Sequence, residues 1–270
     1  MSVFSNCSNG NENLTVASPK FHRYPVFLPE YCALTCEDAA AVIVDQAAAR
    51  TSYGVTALAV HGLMESWNTP ALGKKINKIQ MIVPDGQPVV WALNLFYSLG
   101  LSFKIPGPTL TSEVLKQADP RALGVFLYGS TADTLERFQA HIADVYPNLS
   151  VVGVHEDRFR DATPEEDAAD IERINASGAH IVLVGRGCPR QEHWVADHVG
   201  KVNAAMLAVG AAFDYHAGKL QRAPMWVQRA GLEWLFRLIQ EPRRLWRRYL
   251  TTNVQFVYQL IRHKYILRKS

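Results

Sequence analysis

The residues of this 270-residue chain with the clearest chemical potential are one carboxylate, Asp85, in the loop Pro84-Asp85-Gly86, and an arginine run comprising Arg237, Arg243, Arg244, Arg247 and Arg248. A carboxylate at a strand end can accept a hydroxyl proton during nucleophilic attack when it lies within hydrogen-bond reach. Its commoner role is to cap the helix that follows. Asp214, closing the stretch Gly210-Ala211-Ala212-Phe213-Asp214, carries the same two readings. Guanidinium forks match phosphate oxygens with two parallel hydrogen bonds. Interleaved with Trp234, Phe236, Trp246 and Tyr249, the arginines point to a diphosphate or a lipid surface rather than to an ordinary solvated face.

Two further loops carry glycine where a backbone can approach an anionic ligand: Gly129-Ser130, and Gly185-Arg186-Gly187-Cys188-Pro189-Arg190-Gln191-Glu192. Such loops favour anionic oxygens at a following helix N-terminus, although glycine there also serves turn geometry alone. No dinucleotide fingerprint or Walker loop is present. No metal constellation is legible either: there is no Asp-x-Asp pair, and His193 and His198 are five residues apart, off the one-face spacing of four. The four cysteines form no zinc spacing and are expected as free thiols.

The elements that must position these loops follow from periodicity. Thr35 with Asp38 is a capping signal for a helix over 39–49. After a break at Gly54, residues 55–60 read as a buried strand. Strands are expected over 78–83, 125–128, 151–154, 181–184 and 204–209, and helices over 89–99, 131–146, 164–176 and 190–199. This alternation predicts an α/β fold, a mostly parallel Rossmann-like sheet with helices on both faces, whose ligands sit beyond the carboxyl ends of the strands. Residues 1–24 read as a mobile arm, 25–224 as the α/β core, and 225–270 as a basic, aromatic helical appendage. The appendage carries ten Lys/Arg against two acids, near +8 in a chain of net charge +3, so the remainder is acidic. Pro242 suits the first position of a helix. On that helix Trp246, Leu250, Val257 and Ile261 share one side, with Arg244, Arg248 and Arg262 roughly opposite. With no signal segment and no apolar run of about 18 residues, the chain is expected in the cytoplasm, touching a membrane only at its surface.

The motifs Asp85-Gly86-Gln87-Pro88 with Trp91, Gly187 to Glu192, Gly210 to Asp214, Gly218-Lys219, Arg222-Ala223-Pro224, Gly231-Leu232-Glu233-Trp234 and Glu241-Pro242-Arg243-Arg244 with Arg248-Tyr249 resemble, in order, those of the WecG/TagA/CpsF glycosyltransferases. The resemblance spans about residues 38 to 250. It implies a Rossmann-like, inverting, metal-independent enzyme with no cofactor. Such an enzyme moves a sugar from a UDP-sugar to a polyprenyl-diphosphate-linked saccharide on the inner face of the bacterial cell membrane, with a C-terminal appendage that docks there. Residue by residue, it implies Asp85 as general base, Thr56 as the threonine that helps place substrate, and Gln191 as the glutamine of the Pro-Lys-Gln-Glu motif, with Arg190 for the commoner lysine. Arg237, Arg244 and Arg247 match the arginines that hold the nucleotide diphosphate, and Arg248 lies beside them. The asparagine that accompanies the threonine in the family is missing.

The donor class implied covers UDP-N-acetylmannosamine, its uronic acid and UDP-glucose, in exopolysaccharide or cell-surface polysaccharide synthesis. A homo-oligomer is compatible with the sequence. Two other readings were weighed: a non-catalytic scaffold of a polysaccharide assembly complex, suggested by the missing asparagine, and nucleic-acid binding by the basic tail. The long apolar stripe and acidic remainder disfavour a nucleic-acid partner.

Overall fold

The computed structural model describes residues 21–229 and 231–267. Most of the expected N-terminal arm, with Cys7, lies outside the described residues. The chain enters through a small antiparallel pair, β1 (Arg23–Pro25) and β2 (Glu30–Cys32). Then follow α1 (Cys36–Ala48), β3 (Tyr53–Leu58), α2 (Val60–Asn68), α3 (Pro70–Ile76), β4 (Met81–Pro84), α4 (Gln87–Tyr97), α5 (Gly107–Ala118), β5 (Gly124–Gly129) and α6 (Ala132–Val145). The second half continues with β6 (Ser150–His155), α7 (Pro164–Ala176), β7 (Ile181–Gly185), α8 (Arg190–His198), β8 (Ala205–Ala208) and α9 (Ala212–His216). Three helices close the described chain: α10 (Met225–Arg229), α11 (Glu233–Gln240) and α12 (Pro242–Leu267).

β3 to β8 form one six-stranded sheet in the order β4-β3-β8-β7-β5-β6, and every neighbouring pair is parallel. Such a sheet needs both faces covered, so alternate residues of each central strand feed two separate cores. Val55, Val83, Leu127, Leu183 and Leu207 pack with α1, α5 and α6. Ile82, Phe126, Val182 and Met206 pack with α2, α4 and α8.

Local sequence chemistry sets the element ends. Thr35 caps α1 by accepting from the Asp38 amide, and Thr163 with Glu166 forms a complete capping box on α7. Two expectations change. Gly54 does not break the chain: it lies inside β3, where an added Cβ would sit 3.0 Å from Val195 on α8 and from Val199 just past its end. Its missing side chain lets the helix approach the strand. Val60 is not strand but the first residue of α2, because pairing with β4 ends at the Leu58–Pro84 step and continuous apolar character cannot mark where a buried strand turns into a buried helix.

α12 starts at Pro242 as expected. Leu245 and Phe256 are buried, and the helix packs against α2. Phe256 and His263 meet Phe27 edge-on, at ring-centroid distances of 6.2 and 5.7 Å, and Trp67 meets the same ring at 5.3 Å. The segment that joins β1 to β2 thereby clasps α12 to the core. The stripe of Trp246, Leu250, Val257 and Ile261 faces outward. Among the described residues, no helix is long and apolar enough to cross a membrane.

Candidate active site

A cavity of about 790 Å³ opens at the carboxyl ends of the parallel strands, the place where such sheets bind ligands. Its floor is built from Leu58 at the end of β3 and Ala59 after it, Asp85 after β4, Ser130 after β5, Gly187 after β7 and Gly210 after β8. Arg237 of α11, with Arg244, Arg248 and Tyr249 of α12, complete the enclosure. Asp85 and the arginines Arg237, Arg244 and Arg248 therefore meet in one space, although more than 150 residues separate that carboxylate from them in the chain.

Asp85 is held by its backbone amide, which donates to the Leu58 carbonyl at 3.4 Å. It does not cap α4: Gly86 stands at the cap position with φ +113 and no side-chain cap bond is made. The carboxylate is thus left to the cavity. Burial pushes its pKa up to about 6, against the opposing pull of Arg237, the Gly107 amide and Lys104. Lys104 is itself paired with Glu233 of α11. A carboxylate poised there is ionised at neutral pH yet far more basic than an exposed aspartate, the condition a general base requires.

Glu241, in the step between α11 and α12, accepts from Arg237 Nε at 3.4 Å and from both ends of the Arg244 guanidinium at 3.0 Å. One carboxylate therefore sets two guanidinia side by side. Arg237 also lies over the Tyr215 ring, 5.9 Å from its centroid. Burial raises the pKa of Asp214, opposed by Arg244, Lys219 and Arg237. Arg248 Nε is buried without a hydrogen-bond partner among the described residues. His61 beside it is pushed down to about 4 by burial and by that arginine, which keeps the ring neutral at physiological pH. Paired arginines in a partly desolvated cavity suit an anion of high charge density.

A model of the glycosyl transferase WecG/TagA/CpsF family matches residues 26–270, nearly the whole chain. The chain belongs to this family. It is a glycosyltransferase, and its sheet cavity is the place to look for the transfer site.

The structure brings Asp85, Ser130, Gly187, Gln191, Gly210, Asp214, Arg237, Arg244 and Arg248 to the wall of this cavity. Four other expected residues stand elsewhere. Thr56 is fully buried in β3, beneath the floor, and its hydroxyl donates to Glu192 Oε1 at 3.3 Å. Gln191 Nε2 donates to the same oxygen at 2.9 Å, so Thr56 can act on substrate only through the Glu192–Gln191 pair. Arg190 is spent on Asp157, donating to its two oxygens at 2.9 and 3.0 Å, and supports the wall through that residue. Arg247 stacks on Trp246 with its charge 5.2 Å from the ring centroid, outside the cavity. Gly129, with φ +111, is a spacer: an added Cβ would lie 2.8 Å from the Gly185 carbonyl oxygen, so glycine lets the ends of β5 and β7 converge.

Sequence reasoning gave Glu241 and Glu192 no role beyond their place in motifs and passed over Asp157 and Lys104. Glu192, Asp157 and Lys104 act through partners far away in the chain, Thr56 and Glu192 being 136 residues apart. The one available signal was Glu241 between the two arginines it holds. Among the described residues, no group of three or more His, Cys, Asp or Glu could hold a metal ion, and Cys32, Cys36 and Cys188 are free.

Proposed function

We propose that this glycosyltransferase moves a sugar from a UDP-sugar, with inversion, to a hydroxyl of a polyprenyl-diphosphate-linked saccharide in bacterial exopolysaccharide or cell-surface polysaccharide synthesis. The observation that carries this reading is the sharing of one cavity by a carboxylate raised to about 6 and a pair of bracketed guanidinia. The acceptor hydroxyl gives its proton to Asp85, and its oxygen attacks the anomeric carbon from the face opposite the diphosphate. The bond from anomeric carbon to diphosphate oxygen breaks, and UDP departs with the negative charge. Arg237 and Arg244 stabilise that charge where it develops, which is worth most in a site shielded from water. The reaction needs no covalent enzyme intermediate, so the configuration inverts.

The outward apolar stripe of α12 and the flanking arginines favour a peripheral seat on the anionic inner face of the cell membrane, where a lipid-linked acceptor resides. The site residues of this reading are Asp85 as base, Arg237, Arg244 and Arg248 on the diphosphate, and Gln191, Gly187, Gly210, Ser130 and Asp214 lining the donor space. The test is UDP release by the full chain offered a panel of UDP-sugars and detergent-dispersed polyprenyl-diphosphate saccharides. Turnover with one pairing, unaffected by chelator and lost in Asp85→Asn, is expected. If the Asp85→Asn chain instead restored polysaccharide assembly in cells lacking the protein, a non-catalytic scaffold would be the correct reading.

A further inference from the structure

The cavity has a wall that neither the proton transfer nor the diphosphate uses. α4 begins two residues after Asp85 and buries Val89, Val90, Ala92 and Leu93 in the core. Gln87 and Trp91, four residues apart, fall on its remaining face, and both line the cavity. Trp91 keeps 58% of its surface exposed. Gln87 reaches the turn that leads into α11, since a Cβ added at Gly231 would lie 3.9 Å from its Cγ.

We propose that Trp91 and Gln87 form the acceptor subsite, the indole stacking on the apolar face of the acceptor pyranose and the amide binding its hydroxyls. The inference rests on the transferase reading above. In an inverting displacement the acceptor approaches from the side of the base and the diphosphate leaves on the other. The arginines that suit the diphosphate come from α11 and α12, so the acceptor sugar lies between Asp85 and the helix that follows it. An indole left open inside a cavity is an aromatic surface in want of a cover. The C–H face of a pyranose supplies one, and an amide, carrying both donors and an acceptor, suits the sugar's rim of hydroxyls. Trp91 and Gln87 thereby set which acceptor sugar is used, while the donor is recognised elsewhere.

The test uses the full chain and the acceptor that the wild type turns over from a panel of diphosphate-linked N-acetylglucosamine, glucose and galactose. Each is offered on a short farnesyl chain without membranes, and on an undecaprenyl chain in anionic vesicles. Trp91→Ala is expected to raise the KM for the farnesyl-linked acceptor about tenfold, with UDP affinity kept and the KM largely restored in Trp91→Phe. Gln87→Ala is expected to shift the acceptor KM in the same direction. Loss of turnover on vesicles only, with the farnesyl acceptor unaffected, would overturn the subsite and make Trp91 a lipid contact. Equal loss of UDP affinity and acceptor KM would make it a general wall of the cavity. A folded wild type that binds UDP yet turns over none of the panel contradicts the acceptor class of the parent reading, and this subsite with it. A chain that does not bind UDP contradicts the donor side alone.

Discussion

Asp85 is the residue whose environment matters most, because its two candidate roles make opposite demands. A capping aspartate is bound by amides and its pKa falls; this one leaves the cap to Gly86 and is pushed up by burial. The rate of transfer, as kcat/KM against pH, is therefore expected to rise through an acid limb near 6 and level off above it, measured by UDP release. The same shift touches stability. Since the folded pKa lies above the unfolded one, ionising Asp85 costs folding free energy; the cost is absent below about pH 4, grows between 4 and 6, and is complete above 6. Asp85→Asn should consequently stabilise the free protein by about 3 kcal/mol at pH 7.5 and by almost nothing at pH 3.5, read from denaturant midpoints; an equal effect at both values would contradict the burial argument. Asp85, Asp214 and the arginines could be picked out in the sequence because their types are unusual for their surroundings. What Thr56 and Arg190 bond to could not be read, because Glu192 and Asp157, which occupy them, are remote in sequence and adjacent only in the fold.

At the scale of elements, the strand–helix alternation was readable because each central strand is a short apolar run and some helix starts carry a side-chain signal, as at Thr35, Thr163 and Pro242. α5 was missed. Pro106, Gly107 and Pro108 at its start are residue types that also favour turns, yet Pro108 serves the first turn of a helix, and Gly107 fits because a Cβ there would sit 2.7 Å from the Val209 carbonyl oxygen. The step between α11 and α12 is where the elements make the phosphate site, with Glu241 fixing Arg237 and Arg244. Arg244→Ala should weaken UDP binding about tenfold or more, the worth of a charge-assisted hydrogen bond. Arg247→Ala should weaken it far less, since that guanidinium rests on Trp246 outside the cavity. Calorimetric titration of the two variants with UDP checks the ranking; the reverse order would place the diphosphate elsewhere.

On the scale of the whole molecule, α12 is a two-faced element. Its inner side carries Leu245, Phe256 and Arg248 toward core and cavity, while Leu250 and Ile261 remain 62% and 63% exposed. The sequence showed an amphipathic helix but not which face the fold would claim, because the choice depends on α2 and on Phe27 near the chain's start. An outward stripe beside arginines is suited to an anionic bilayer. The double variant Leu250→Asp with Ile261→Asp is expected to leave anionic vesicles in a sedimentation assay while keeping its UDP affinity, since neither residue lines the cavity. Retained sedimentation would shift the membrane contact to another surface.

The central claim is that Asp85 takes the acceptor proton in a cavity whose arginines hold the leaving diphosphate. The most direct measurement pairs UDP affinity with the transfer rate in Asp85→Asn and in the wild type. The account predicts UDP affinity at or slightly above the wild-type value, because a nearby negative charge is gone, and a transfer rate lower by about 10² to 10⁴. A transfer rate within a few-fold of wild type would contradict it.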